Sequence, residues 1–364
     1  MPCASALTKI PPGVVVGEDY LTLLNACRQG GYALPAINVT CSNMVNAVLE
    51  AAALNKSDIV IQISGSGAQF YGGMGLKDAH RARSLGALAM ARHVHTLAKE
   101  YGICVILHTD HADRSLIPWL DDLITFNHAE YTQTGRPLFS SHMLDLSTEP
   151  LECNLSEAEK MLRRLAPLGI GLEIELGITG GEEDGIGKAF HDNGMHDPAL
   201  YTQPADVLAA WKRLSPLGAI SIAASFGNVH GVYKPGNIKL RPEILKASQE
   251  LVSHYAHGEP KPLSFVFHGG SGSEKDKIHE AVSYGVFKMN IDTDTQFAFA
   301  KGASDYIHHH AAAFAHQVCP DTGQPFKKQY DPRQWLRAGE KKLVERLNVA
   351  FVTLQSEGKT IAHS

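Results

Sequence analysis

Nowhere in its 364 residues does the sequence carry an apolar run approaching the ~20 residues of a membrane span. Met1 to Gly17 contains no apolar stretch of the kind that marks a secretory leader. The six cysteines, Cys3, Cys27, Cys41, Cys104, Cys153 and Cys319, are scattered and form no C-x-x-C pair. In a chain of this length they read as reduced thiols and not as a disulfide frame. No block of basic residues offers a nucleic-acid surface, and formal net charge is -5. No G-x-G-x-x-G loop follows the first expected strand, which ends in Val39-Thr-Cys-Ser42, so an open dinucleotide-binding sheet lacks its usual signature. No sequence period of 20–50 residues argues for a solenoid. These absences leave a soluble, cytoplasmic protein acting on small molecules as the expectation, with any anionic substrate held by local donors.

What is present is an alternation of short apolar strands with helical segments. Apolar residues make up 44% of the chain and charged residues 20%, enough for a large core. Strands are expected at 33–40, 58–64, 105–111, 138–147, 171–177, 219–226, 263–268 and 286–294. Helices are expected at 19–30, 43–54, 79–101, 117–134, 156–165, 204–214, 241–257, from the loop after Ser273 through Val282, and at 295–314, with an amphipathic helix ending near Leu354. Eight strand–helix units predict a parallel sheet closed into a TIM (β/α)8 barrel, with an N-terminal lead-in and a C-terminal helical extension. A single domain over 1–364 is expected, its barrel core spanning about 33–318 and the extension about 319–364. The connection from Ile178 to Leu200 contains Gly180-Gly-Glu-Glu-Asp-Gly185 and reads as a mobile lid.

In such a barrel the chemistry gathers at the C-terminal ends of the strands. The third strand ends in His108-Thr-Asp-His111, the fourth near Asp145, and the fifth carries Glu173 and Glu175. The sixth leads to His230 and the seventh ends in His268. His111, His230 and His268 read as a three-histidine metal site with an open position, the arrangement of catalytic zinc. Glu175 lies near the mouth, where it can bind metal or orient a ligand. Glu173 and Lys288 both point into the barrel and are expected to neutralise each other there. Gly269-Gly-Ser-Gly-Ser273 precedes a helix and reads as a phosphate cradle, to which Thr293 can add a hydroxyl. A metal polarising a carbonyl, with carboxylates to move protons, suggests enediolate chemistry. Glu182 and Glu183 are candidates for proton abstraction, and Asp110 for proton transfer at an aldehyde oxygen.

Leu107-His-Thr-Asp-His-Ala112 and Leu172-Glu-Ile-Glu-Leu-Gly-Ile-Thr-Gly-Gly-Glu-Glu183 resemble the two signatures of the class II, zinc-dependent fructose-1,6-bisphosphate aldolases. Gly227-Asn-Val-His-Gly-Val-Tyr233, Phe267-His-Gly-Gly-Ser-Gly272 and Lys288-Met-Asn-Ile-Asp-Thr-Asp-Thr295 resemble the longer-chain branch of that family. The likeness runs from about Pro12 to about Leu354. It implies reversible cleavage of fructose 1,6-bisphosphate to dihydroxyacetone phosphate and glyceraldehyde 3-phosphate, a step of glycolysis and gluconeogenesis. It implies catalytic Zn2+ on His111, His230 and His268, and a second divalent position at Asp145 and Glu175. Asp110 would handle the C4 hydroxyl proton and Glu183 the carbon proton. Asn38, Ser64, Gly231, Gly269, Gly270, Ser271, Asn290, Asp292 and Thr293 would line the substrate. A monovalent cation, K+ or Na+, would sit near the phosphate loop. The resemblance also implies a homodimer in which Arg337 reaches the neighbouring site.

Rival readings are an imine-forming aldolase with Lys288 as nucleophile, a metal-dependent barrel hydrolase, and a non-catalytic aldolase-derived binding protein. A hydrolase would want His-x-His on the first strand, where Asn38-Val-Thr40 stands. Within the enzyme reading, tagatose 1,6-bisphosphate is the alternative substrate. His191 and His196 have no assigned role, Gly65-Ser-Gly67 is unusual after a second strand, and His308-His-His310 is expected to be solvated.

Overall fold

The computed structural model describes residues 8–177, 180–183, 186–188, 201–230, 240–270 and 273–363; residues 180–183, 186–188, 229 and 230 are described by their backbone. Eight parallel strands close on themselves: β1 (Leu34–Asn38), β2 (Ile59–Ile63), β3 (Cys104–Thr109), β4 (Ser141–Leu144), β5 (Gly171–Leu176), β6 (Ile220–Ala224), β7 (Phe265–Phe267) and β8 (Val286–Asn290). Each pairs with the next, and β8 pairs with β1 through Lys288↔Leu34 and Asn290↔Ala36. The fold is the expected TIM barrel.

Helix Glu18–Gly30 seals the barrel floor. Its Tyr20, Leu23, Leu24 and Cys27 pack with Leu34, Ala36, Val60, Ile106, Ala223 and Val266 in one buried cluster. Two residues further along the same strands come Asn38, Gln62, His108 and His268, all buried. The strand period of two keeps these side chains on one face, so the interior is apolar at the floor and polar toward the mouth. A second, larger cluster lies between strands and surrounding helices.

The C-terminal helix Pro332–Thr353 packs on helices Ser42–Leu54 and Thr293–His309. Beyond it, Asp58 at the foot of β2 accepts from Thr360 Oγ1 at 2.6 Å and Ile361 N at 2.8 Å, fastening the tail to the barrel. Among the described residues no helix is long and apolar enough to cross a membrane.

Four local expectations are corrected. Gly65-Ser-Gly67 opens a helix, Gly65–Gly72, that the sequence reading missed. Ser64 caps it by accepting from Gly67 N at 3.2 Å. It lies so close to helix Ala79–Leu97 that a Cβ on Gly86 would stand 1.8 Å from Ala68 O. The strand expected over 138–147 is only Ser141–Leu144, because the amides of Leu138 and Phe139 donate to Asn127 Oδ1 instead of a neighbouring strand. The helix after it begins at Leu151, directly after Pro150, and not at Ser156. The eighth strand stops at Asn290 because a helix already begins at Thr293.

The expected lid also contains regular structure. Gly180–Glu183 pairs antiparallel with Ile186–Lys188 and parallel with Val229–His230. A lone glycine-rich stretch gave no strand signal, since its parallel partner lies about fifty residues away. His191, His196, Gly231 and Ser271 lie outside the described residues. His308 and His309 are exposed, while His310 is half-buried and stacks on Tyr306 at 4.3 Å.

Candidate metal and active site

The polar mouth of the barrel is built from strand ends. Directly after β3, Asp110 is fully buried and His111 adopts φ 29. A left-handed conformation is costly for a side chain with a Cβ, and such strain gathers where a side chain must be aimed. His111 Nδ1 lies 3.1 Å from Asp145 Oδ2 after β4 and 4.0 Å from Glu175 Oε2 on β5. The Asp145 carboxylate is also steadied by Ser147, whose Oγ donates to Oδ1 at 2.7 Å. Its pKa is held well below the carboxylate range: burial alone would raise it, but the His111 and Ser147 contacts more than offset that.

His268, after β7, is buried with a carboxylate on each ring nitrogen. Nδ1 stands 3.1 Å from Glu175 Oε2, and Nε2 stands 2.9 Å from Glu173 Oε1. Burial opposes a charge on this ring, but the two carboxylates raise its pKa to about 9. Deeper, Glu173 Oε2 meets Lys288 Nζ at 2.9 Å, the pair expected from sequence. Burial would raise the Glu173 pKa, and the Lys288 side chain with the His268 ring brings it below normal. Lys288 Nζ also donates to Gln62 Oε1 at 3.1 Å, so the amine is engaged on two sides inside the barrel. His108 bonds Ser141 Oγ through Nδ1 at 2.7 Å, and burial lowers its pKa to about 3, so it stays neutral.

Asp110 is held from both sides. Asn38 Nδ2 donates to Oδ2 at 2.9 Å, and Asn290 Nδ2 donates to Oδ1 at 3.2 Å. Burial would raise its pKa, yet nearby His111, Lys288 and His268 lower it, keeping an ionised carboxylate able to accept a proton. Gln62 connects this group to the floor, donating to Asn38 Oδ1 at 2.6 Å and accepting from Lys288 at 3.1 Å. The sequence reading did not single out Gln62. Its signal was a lone amide in the apolar run Ile59-Val-Ile-Gln-Ile63.

Among the described residues two overlapping donor groups could hold a metal: Asp110, His111 and His268, and His111, Asp145 and Glu175, with ligand atoms in each group within 4.8 Å. Imidazole and carboxylate donors converging on one buried mouth suit a divalent ion. His230 lies on the strand whose residue pairs with Gly181, so the backbone brings the third histidine's strand beside the one bearing Glu183.

The remaining candidates are more dispersed. Ser64 caps its helix, and its Oγ lies 3.1 Å from Ser66 Oγ. Gly269 has φ 61, a conformation that favours glycine, and a Cβ on Gly270 would stand 2.3 Å from Met289 Cε, so the Met289 side chain packs directly on that backbone. Asp292 accepts from Gln296 Nε2 at 2.8 and 2.9 Å, just before Thr293 opens its helix. Arg337 makes a two-pronged pair with Glu50 at 2.6 and 2.7 Å and a further bond to Glu340 at 2.9 Å.

The closed parallel barrel and the histidine–carboxylate cluster at its mouth define a metal-dependent barrel enzyme. Residues 18–359 match the family described as fructose-bisphosphate aldolase class II, and the chain belongs to that family of lyases. A fructose-bisphosphate aldolase of Campylobacter jejuni is 52% identical over 355 residues, covering 96% of this chain and 98% of the relative. The class 2 fructose-bisphosphate aldolase of Escherichia coli K12 is 47% identical over 352 residues, covering 95% and 97%. The crystal structure of the Campylobacter jejuni aldolase superposes with a TM-score of 0.87 at 49% identity, covering 96% of this chain and 98% of the other. A second Escherichia coli K12 aldolase, at 22% identity and TM-score 0.63, shares the fold.

Proposed function

We propose that this chain catalyses the reversible aldol cleavage of fructose 1,6-bisphosphate to dihydroxyacetone phosphate and glyceraldehyde 3-phosphate at the barrel mouth. The observation that carries the reading is the convergence of Asp110, His111, Asp145, Glu175 and His268 at one rim of a class II aldolase barrel. Zinc held by His111, His230 and His268, beside a second divalent position at Asp145 and Glu175, would supply Lewis-acid polarisation of the ketone carbonyl.

The chain's own residues move the protons. In the cleavage direction Asp110 accepts the C4 hydroxyl proton while the C3–C4 bond breaks, releasing the aldehyde. The bonding electrons pass to the ketone half as an enediolate, and Glu183 delivers a proton to its carbon. In condensation Glu183 removes that proton and Asp110 returns its own. Asn38 and Asn290 keep Asp110 aimed. Gly231, Gly269, Gly270, Ser271, Asp292 and Thr293 would cradle phosphate and hydroxyl groups with Ser64, and K+ or Na+ near the phosphate loop would supply added positive charge there. The protein works in the cytoplasm, in glycolysis and gluconeogenesis, as a homodimer in which Arg337 of one copy reaches the other's substrate.

The test is cleavage of fructose and tagatose 1,6-bisphosphates side by side, with and without EDTA. Cleavage of the fructose ester that stops with chelator and returns with zinc is the expected result. Faster turnover of the tagatose ester would reassign the substrate, and turnover unaffected by chelator would end the metal reading.

A further inference from the structure

Three buried side chains take no direct part in the proposed chemistry yet connect its two halves: Gln62, Glu173 and Lys288. Lys288 is the junction. One branch runs from Nζ to Gln62 Oε1 at 3.1 Å, from Gln62 Nε2 to Asn38 Oδ1 at 2.6 Å, and from Asn38 Nδ2 to Asp110 Oδ2 at 2.9 Å. The other runs from Nζ to Glu173 Oε2 at 2.9 Å and from Glu173 Oε1 to His268 Nε2 at 2.9 Å.

The direction of the first branch follows from donor counting. An ammonium only donates. Gln62 must therefore turn its oxygen to Lys288, which leaves its NH2 for Asn38. Asn38 must then accept from Gln62 and present its own NH2 to Asp110. Either amide alone could rotate by half a turn, exchanging O for NH2. Anchored at Lys288, both are fixed, and Asp110 meets a donor. In the second branch, Glu173 accepts from the deeper ring nitrogen of His268. That leaves Nδ1 facing Glu175 and the metal-donor cluster, the arrangement by which a carboxylate orients a metal-binding imidazole.

We propose that Lys288, together with Glu173, is a positioning residue for both halves of the site. Its ammonium sets the donor–acceptor sense of the chain ending on Asp110 and anchors the carboxylate that orients His268. This inference rests on the proposed aldol chemistry for its first branch and on metal binding for its second.

Changing Lys288 alone would strand a buried carboxylate. The informative variant is therefore the charge-neutral pair Lys288→Met with Glu173→Gln, compared with wild type, Asp110→Asn and the triple variant. In the pair variant kcat should fall about tenfold or more with KM within about threefold, and affinity for zinc, read by chelator competition, should fall about 10- to 100-fold. In the Asp110→Asn background, assayed at saturating zinc, the same pair should cost less than about threefold in kcat, because residue 110 no longer takes up the proton that the first branch serves. A folded pair variant with wild-type kcat and zinc affinity overturns the proposal, as does full additivity with Asp110→Asn.

Gln62→Met tests the first branch with the ion pair intact, so the question survives misfolding of the pair variant. It should lower kcat while leaving zinc affinity unchanged, and wild-type turnover would overturn that branch. If wild-type protein does not cleave the bisphosphate, the proposed function fails. The zinc-affinity comparison still decides the Glu173 branch.

Discussion

Asp110→Asn separates stability from catalysis at the centre of the site. The carboxylate accepts one bond on each oxygen, from Asn38 and from Asn290. An asparagine at 110 has one acceptor and one NH2, so one neighbour would be left donor against donor. Asn38 cannot turn, because its oxygen is engaged by Gln62 Nε2 at 2.6 Å. Asn290 can, since its Oδ1 has no hydrogen-bond partner among the described residues. After half a turn it accepts from the new amide. Two charge-assisted bonds become two neutral ones, and the Asn290 NH2 moves to the position of Oδ1, where it has no acceptor among the described residues. The expected loss of stability is about 1–3 kcal/mol, well short of an unfolded site. Loss of the proton acceptor should lower kcat by about 10²–10⁴. At about 1.36 kcal/mol per decade this is about 2.7–5.4 kcal/mol of barrier. Steady-state cleavage kinetics and a urea midpoint, measured on the same preparation, read the two quantities. A kcat within about threefold of wild type would remove Asp110 from proton transfer. A stability loss above about 5 kcal/mol would refute the turning of Asn290.

Glu183→Ala should slow hydrogen exchange on dihydroxyacetone phosphate by about 10²-fold or more while zinc stays bound, and a wild-type exchange rate would take Glu183 out of that role. Gly86→Ala would drive a Cβ to within 1.8 Å of Ala68 O, backbone against backbone, so helix Gly65–Gly72 must move away. A loss of about 1–3 kcal/mol and a raised KM through displacement of Ser64 are expected, and an unchanged thermal midpoint would contradict the contact. Arg337→Ala should cost about 0.5–1 kcal/mol at neutral pH, discounted because the pair is partly exposed. The hydrogen bonds from Arg337 lower the Glu50 pKa. This contribution is therefore present above the unfolded Glu value of about 4.3 and fades as pH falls through the lower folded value. Urea midpoints at neutral pH and at about pH 3 should show the difference shrinking.

Much of the fold was legible because a parallel barrel repeats one local pattern. Ile59-Val-Ile-Gln-Ile63 and Cys104-Val-Ile-Leu-His-Thr109 are apolar on both faces, as strands buried on both sides must be. Polar residues at their ends marked the mouth. The helix Gly65–Gly72 was not legible, because glycine-rich segments read as loops unless a neighbour accepts close approach. That neighbour, Gly86, is distant in sequence. The small sheet containing Gly180–Glu183 was hidden for the same reason, its parallel partner lying at Val229–His230.

The site divides similarly. The sequence alone determined which residues stand at strand ends and which face of each strand they share, since a period of two leaves no other choice for Glu173 and Glu175 or for Lys288 and Asn290. It therefore determined the composition of the mouth and the pairing of Glu173 with Lys288. It did not determine which atoms meet. That Asp110 is gripped by two amides, that His268 lies between two carboxylates and that Gln62 carries the sense of one bond to the next depend on barrel closure. Closure brings β1, β2, β5 and β8 around one axis, where side-chain length and hydrogen-bond direction select the partners.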